Sequence, residues 1–337
     1  MEYRTVLLTG VTGSFGSAML RHLLRTTTVT IRGLSRSELL QAQLRETLTS
    51  EERERVRLFL GDVRDYQRLL VAMRDVDVVW HAAALKRVDS GETDPIEFSR
   101  TNVSGTEQVI SACIAAGVKK AVLLSSDKAT MPVNMYGATK MVAERLWTRA
   151  NGYSPGGTHF VSTRYGNVVA SRGSVFETWK RFLAAQQPLP VTDPRMTRFW
   201  ITLDEAVHLA EFAALHGPRG SILVPHLQAY GVPDLARAYG GDDVATVDMG
   251  IRPGEKLHET LIAPHEESRV TIYRGDNVVA PQYYAIAPEQ PSWHQPPSFG
   301  ITWHPWQMLD RYESGVWPYR MDTATLRQQM QVLGVIA

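Results

Sequence analysis

The chain has 337 residues, enough for one large α/β domain or two smaller ones with a substantial buried core. Its 36 basic residues are matched by 35 acidic ones, which leaves no basic field for nucleic acid and no polybasic stripe for a membrane surface. A single cysteine, Cys113, excludes an internal disulfide, and no apolar run approaches the length of a signal peptide or a membrane span, so a soluble, cytoplasmic protein is expected.

In chain order, residues 5–9 read as a short buried strand that breaks into Gly10-Val11-Thr12-Gly13-Ser14-Phe15-Gly16. Glycines at that spacing, between a first strand and a first helix, allow a tight turn, close approach to a pyrophosphate and close helix packing. The helix starts near Ser14 and offers its N–H groups to phosphates. Gly10, Thr12, Gly13, Ser14, Phe15 and Gly16 are therefore the expected cofactor loop. A second strand, residues 29–34, ends in Ser35-Arg36 with no acidic residue to hold ribose hydroxyls. A hydroxyl followed by a guanidinium suits a 2′-phosphate, so NADP is expected over NAD.

Residues 38–48 read as a polar helix, 50–55 as a charged turn and 57–60 as the third strand. Asp62 and Val63 follow that strand, where a carboxylate can accept from an adenine amino group or cap a helix. The fourth strand, residues 76–80, runs into His81-Ala82-Ala83-Ala84-Leu85-Lys86. Ala82, Ala83 and Ala84 let the backbone pass close to the cofactor, with Lys86 beside it, while His81 reads as a packed strand-end residue. Asp94-Pro95 marks a helix start; that helix carries Asn102, assigned to the cofactor side, and ends before Gly117.

A fifth strand, residues 121–124, leads into Ser125-Ser126-Asp127-Lys128 and then a helix after Met135 that carries Tyr136 and Lys140 four residues apart, on one face. A tyrosine titrates near ~10, so service as a base near neutrality needs stabilisation of the phenolate by about 4 kcal/mol. A fixed ammonium such as that of Lys140 supplies part of it and an oxidised nicotinamide ring another part. The spacing alone does not separate such a pair from two helix-surface residues; the surrounding motifs do.

Strands and helices alternate five times before residue 150, which predicts an α/β fold: a doubly wound parallel (Rossmann) sheet over residues 1–165, with ligands at the carboxyl ends of its strands. Residues 166–337 read as a smaller substrate-side domain, from which 201–225 return to the first. Arginines scattered through this half, as in Gly250-Ile251-Arg252-Pro253-Gly254-Glu255-Lys256, suit a second diphosphate. The tail after Asn277, rich in Pro, Trp and Tyr, reads as a packed wrap or a subunit contact.

Taken together, TGVTGSFG, LSRSEL, GDVRD, HAAALK, SSDKATMPVNMYGATK, RYGNVVASRGSV, MTRFWITL and GIRPGEKLHE make the chain resemble the extended short-chain dehydrogenases/reductases. More closely, it resembles the inverting UDP-N-acetylglucosamine 4,6-dehydratases of pseudaminic-acid-type pathways. The resemblance implies Gly10, Gly13, Gly16 and Arg36 as cofactor contacts, Tyr136 and Lys140 as the oxidising pair, and Asp127 and Lys128 as the elimination pair. It further implies that Asn167, Arg198, Arg252 and Glu255 hold the nucleotide diphosphate, with Lys86 near the sugar, that no metal takes part, and that the protein is a homo-oligomer, from dimer to hexamer. Ser126 stands where the family has Thr and keeps the hydroxyl; Lys86-Arg87-Val88-Asp89 departs from the relatives' Lys-His-Val-Pro. Tyr136 argues against the membrane-anchored retaining subgroup, which has Met there.

Other readings compete: an epimerase that stops at the transient ketone, a dehydratase acting on a different NDP-sugar, and a non-catalytic NADP sensor. An epimerase has no need for an acid–base pair at a 6-hydroxyl, and a sensor has no need for the Tyr136-Lys140 set. As a base, Lys128 must be neutral, which requires its pKa to fall from ~10.4, while Asp127 must hold a proton for the leaving hydroxyl.

Overall fold

The computed structural model describes residues 3–171, 173–274, 282–289, 302, 304–305 and 311–336. Six strands, β1 (Thr5–Thr9), β2 (Thr30–Ser35), β3 (Val56–Leu60), β4 (Val78–His81), β5 (Lys120–Leu124) and β6 (His159–Thr163), alternate with helices as the apolar runs predict. Short strands follow: β7 (Asn167–Val168), β8 (Leu189–Val191), β9 (Thr197–Ile201), β10 (Ile222–Pro225), β11 (Ala229–Gly231), β12 (Thr246–Asp248), β13 (Val270–Tyr273), β14 (Tyr283–Ile286) and β15 (His304–Pro305).

Among the described residues one ten-stranded sheet dominates, in the order β15-β13-β14-β10-β6-β5-β4-β1-β2-β3. The run from β10 to β3 is parallel; β14, β13 and β15 add an antiparallel edge. The chain order reverses between β1 and β4, and that reversal opens a crevice at the carboxyl ends of the strands. Both faces of the sheet are packed. One core gathers Leu8, Leu20, Trp80 and Leu223, the other Leu7, Leu69, Val109 and Trp147. A third core, with Trp179, Trp200, Leu235 and Leu326, lies among the helices Val175–Ala184, Val232–Gly240 and Thr323–Val332 and the small sheets β11-β9-β7 and β12-β8.

Several local readings change. Residues 50–55, expected as a turn, form a helix (Ser50–Arg55), because Thr49 and Glu52 make a reciprocal capping box. Asn102 sits in a π-turn (Ser99–Ser104) between the helices Pro95–Phe98 and Gly105–Ala115, so the segment after Pro95 is not one continuous α-helix. β10 pairs in parallel with β6, as the return of 201–225 requires. Part of the tail after Asn277 lies outside the described residues; Tyr283 and Tyr284 belong to β14, and Tyr312 and Trp317 are buried against the first core.

Candidate active site

The cofactor crevice follows from close backbone approach. Gly10 has φ +72 and donates its N–H to the Leu34 carbonyl at 2.8 Å; a Cβ there would lie 2.9 Å from the Ala83 nitrogen across the crevice. A Cβ on Gly16 would lie 2.3 Å from the Gly10 carbonyl oxygen, so only glycine lets the helix Ser14–Thr26 start this near the turn. Gly13 donates to that same carbonyl, and Thr12, Gly13, Ser14 and Phe15 form the open rim. This cradle fits the pyrophosphate of a dinucleotide. Ala82 and Ala83 face the loop, and Ala84 and Lys86 are exposed beyond them.

At the adenosine end the exposed Arg36 guanidinium lies 3.8 Å from Asp62. Asp62 is gripped by Arg64 at 2.7 Å; burial opposes its charge, but the Arg64 hydrogen bonds outweigh that and hold the carboxyl below its usual range. It does not cap the next helix; Asp65 does, accepting from the Arg68 N–H. Ser35 is turned inward, its hydroxyl accepting from Gln41, and Val63 packs into the core beneath Gly105. Asn102, assigned to the cofactor from sequence, is buried, with its amide spent on Leu85 N–H, Leu85 carbonyl and Thr139. It ties the segment after β4 to the helix Met135–Tyr153. His81 is the packed residue expected, bonded to Thr9 and Thr106, and burial followed by Lys140 repulsion pushes it down to about 3, which leaves it neutral.

The chemistry gathers where β5 ends. Asp127 is buried; its N–H donates to the Tyr165 carbonyl, its Oδ1 accepts from Ser126 Oγ at 2.9 Å and Lys128 Nζ at 3.1 Å, and its Oδ2 has no hydrogen-bond partner among the described residues. The helix Met135–Tyr153 lies directly on this turn: a Cβ on Gly137 would be 2.2 Å from the Lys128 carbonyl oxygen. That contact puts Tyr136 beside Ser126 and Lys128. Burial raises the Tyr136 phenol, and the Lys128 charge and a hydrogen bond with Ser126 offset it only in part. Lys140, the cation expected to act on the phenol, lies one turn deeper in the helix and donates to the Leu124 carbonyl at 2.6 Å; burial, eased by Glu144, lowers it to about 8.

Lys128 brings a correction. Burial works against its charge, but Asp127 and Glu259 together outweigh burial and push its pKa above the ordinary value. The neutral amine expected of a base is not the resting form.

On the substrate side, Asn167 Oδ1 accepts from Lys128 Nζ at 3.0 Å, so its carbonyl faces the ammonium. Arg198 is mostly buried, donating to the Thr197 and Leu257 carbonyls and lying 3.9 Å from Glu259. Arg252 is exposed, and Glu255 keeps a buried Oε2 without a hydrogen-bond partner. Glu259 went unassigned in the sequence, although it closes the GIRPGEKLHE stretch; the tertiary fold buries it against Lys128, Arg198 and Lys256.

Comparison with known proteins extends these observations. The family model described as polysaccharide biosynthesis protein matches residues 6–280. The chain belongs to the polysaccharide biosynthesis protein family. This family member is 43% identical over 304 residues to the UDP-N-acetylglucosamine 4,6-dehydratase (inverting) of Campylobacter jejuni subsp. jejuni serotype O:23/36 (strain 81-176), covering 89% of this chain and 87% of that protein. It is 39% identical over 274 residues to a UDP-glucose 4-epimerase of Rickettsia prowazekii (strain Madrid E), covering 79% of this chain and 80% of that one. Among solved structures, Pen from Bacillus thuringiensis matches with a TM-score of 0.84 and 32% identity over 98% of both chains. The dTDP-glucose 4,6-dehydratase DesIV from Streptomyces venezuelae shares the fold, with a TM-score of 0.67 at 23% identity over 75% of this chain and 86% of that one. The resemblance to inverting dehydratases of the extended short-chain dehydrogenase/reductase type, expected from the motifs, holds.

Proposed function

We propose that this protein is a hydro-lyase that dehydrates UDP-N-acetylglucosamine across carbons 5 and 6 with inversion at carbon 5. The observation that carries the reading is the Asp127–Lys128 contact at 3.1 Å beside Tyr136, with Asp127 Oδ2 buried and left without a partner. Bound NADP supplies a hydride acceptor and, later, the hydride donor; Arg36 and the missing acidic residue support NADP over NAD. Tyr136 takes the proton of the 4-hydroxyl as carbon 4 becomes a ketone, which acidifies the carbon 5 proton.

The resting Lys128 ammonium and Asp127 carboxylate already hold the one proton the elimination needs. Shifted across their hydrogen bond, that proton leaves an amine and a carboxylic acid. Lys128 then takes the carbon 5 proton, and Asp127 hands the proton it has received to the departing 6-hydroxyl, releasing water. Both groups return to their starting charges. A solvent-exchanged proton, balancing the one Tyr136 took from the 4-hydroxyl and gives up, would reach carbon 5 on the opposite face, and the bound nucleotide would supply the hydride for carbon 6, which completes the 4-keto-6-deoxy sugar. Residues 1–165 would hold the cofactor and 166–337 the sugar nucleotide, in a cytoplasmic homo-oligomer.

The test is incubation with UDP-N-acetylglucosamine carrying deuterium at carbon 4, in ordinary and heavy water. The expected product is lighter by one water, carries the carbon 4 deuterium at carbon 6, and takes solvent deuterium at carbon 5. A 4-epimer with no mass loss would favour the epimerase reading, which the relatives named UDP-glucose 4-epimerase support.

A further inference from the structure

Glu259 is a second carboxylate at the elimination pair and has no part in the mechanism above. Its side chain is almost fully buried, with Oε1 3.5 Å from Lys128 Nζ and 3.9 Å from Arg198 Nε, and Oε2 3.8 Å from Lys256 Nζ and without a hydrogen-bond partner. Its backbone is fixed on the far side, where Ser314 Oγ accepts from the Glu259 N–H at 2.9 Å and the Ser314 N–H donates to its carbonyl. The carboxylate is therefore aimed at the cations by a rigid support. We propose that Glu259 is a positioning residue that holds the Lys128 ammonium together with Asp127 and keeps the shared proton on that pair across the working pH range. The inference rests on the dehydratase reading and deepens it.

The charges around Lys128 come from several elements: Asp127 on its own turn, Tyr136 on the following helix, Arg198 on β9, Tyr230 on β11, and Lys256 and Glu259 before β13. Arg198 and Lys256 repel the Lys128 charge, so Asp127 alone faces two opposing cations. Glu259 is the second anion that offsets them, and the raised pKa of Lys128 agrees with that count. Loss of the proton from the pair at high pH leaves no acid for the 6-hydroxyl, so Glu259 sets the alkaline limit of water loss.

The experiment follows the Lys128 titration directly by NMR of protein with heavy carbon beside its lysine amines, the signal being identified by its absence in Lys128→Met. In Glu259→Gln the Lys128 midpoint is expected to fall by about one pH unit or more, as loss of a neighbouring opposite charge requires. In Glu259→Asp it should remain nearer the wild type. The alkaline limb of kcat should move with the midpoint, while KM stays within about threefold. An unchanged midpoint in Glu259→Gln overturns the proposal, and so does a raised KM with kcat and titration unchanged, which would make Glu259 a substrate contact. Wild-type enzyme that removes no water from the UDP-sugar overturns the dehydratase reading alone, because the NMR titration requires no turnover.

Discussion

Tyr136 and Arg36 show how little of a residue's role its identity decides. Burial raises the Tyr136 phenol, so it carries its proton at neutral pH, and the Lys128 charge offsets that rise in part. Tyr136→Phe keeps the ring and removes the acceptor; turnover should drop by about 10²–10⁴-fold, as loss of a positioned general base does. The circular dichroism of the variant should match wild type, and a well-folded variant of near-normal rate would make Tyr136 structural. Arg36, exposed and held among the described residues by a 3.8 Å contact to Asp62, is available to a phosphate. Arg36→Ala should weaken NADP binding by about 1.5–3 kcal/mol, the worth of a charged hydrogen bond, and leave NAD nearly unchanged in a fluorescence titration. Equal losses for both cofactors would remove the basis for NADP.

At the level of elements, the glycine loop and the helix after Met135 do most to place the chemistry. The helix is capped by Asn134, whose Oδ1 accepts from the Gly137 N–H at 2.7 Å while its Nδ2 donates to the Gly254 carbonyl at 2.7 Å. One side chain thus starts the helix and ties it to the segment that carries Glu255 and Glu259. In the glycine loop, Gly16→Ala forces a methyl against the backbone of Gly10 and Val11, which cannot yield as a side chain end could. Overpacking of this kind costs about 1–3 kcal/mol. The expected result is a lower melting temperature together with weakened dinucleotide binding; a variant that binds as wild type would mean the loop has room. Both glycine positions and the Asn134 cap are readable as local patterns. The capping box that turns residues 50–55 into a helix was equally present as Thr49 and Glu52, but the density of charge suggested a turn.

Across the whole molecule, a buried ion cluster joins three parts of the chain. Arg164, just after β6, pairs with Glu144 of the helix Met135–Tyr153 and with Glu266, each at 2.7 Å, and donates to the Leu261 carbonyl. Arg164→Met would leave two carboxylates buried without their cation, a loss of about 3–5 kcal/mol. Burial pushes Glu266 up, but Arg164 outweighs it and the net direction is down from the ordinary value of 4.5. A carboxyl lowered in the folded state contributes stability that is present above its unfolded pKa and lost as pH falls through the folded one. Denaturant titrations should therefore show wild-type stability falling below about pH 4.5. In Arg164→Met burial acts unopposed on Glu266, so the gap between the two proteins should narrow on acidification. A deficit under about 1 kcal/mol at neutral pH would show that the cluster is not a clamp.

The sequence by itself determined the alternation of strands and helices, the glycine loop at the first turn, and the Ser126-Asp127-Lys128 and Tyr136-Lys140 spacings. These are local matters: hydrophobic period, turn residues and helix spacing act within a few residues of one another. Only the tertiary structure decided the partners. It brought the Lys128 charge to bear on Tyr136, spent the Asn102 amide on Leu85 and Thr139, and brought Glu259 from more than a hundred residues away to Lys128. It also kept Lys128 charged, because an ionisable group answers to the sum of burial and every charge nearby, and that sum exists only once distant segments have packed together.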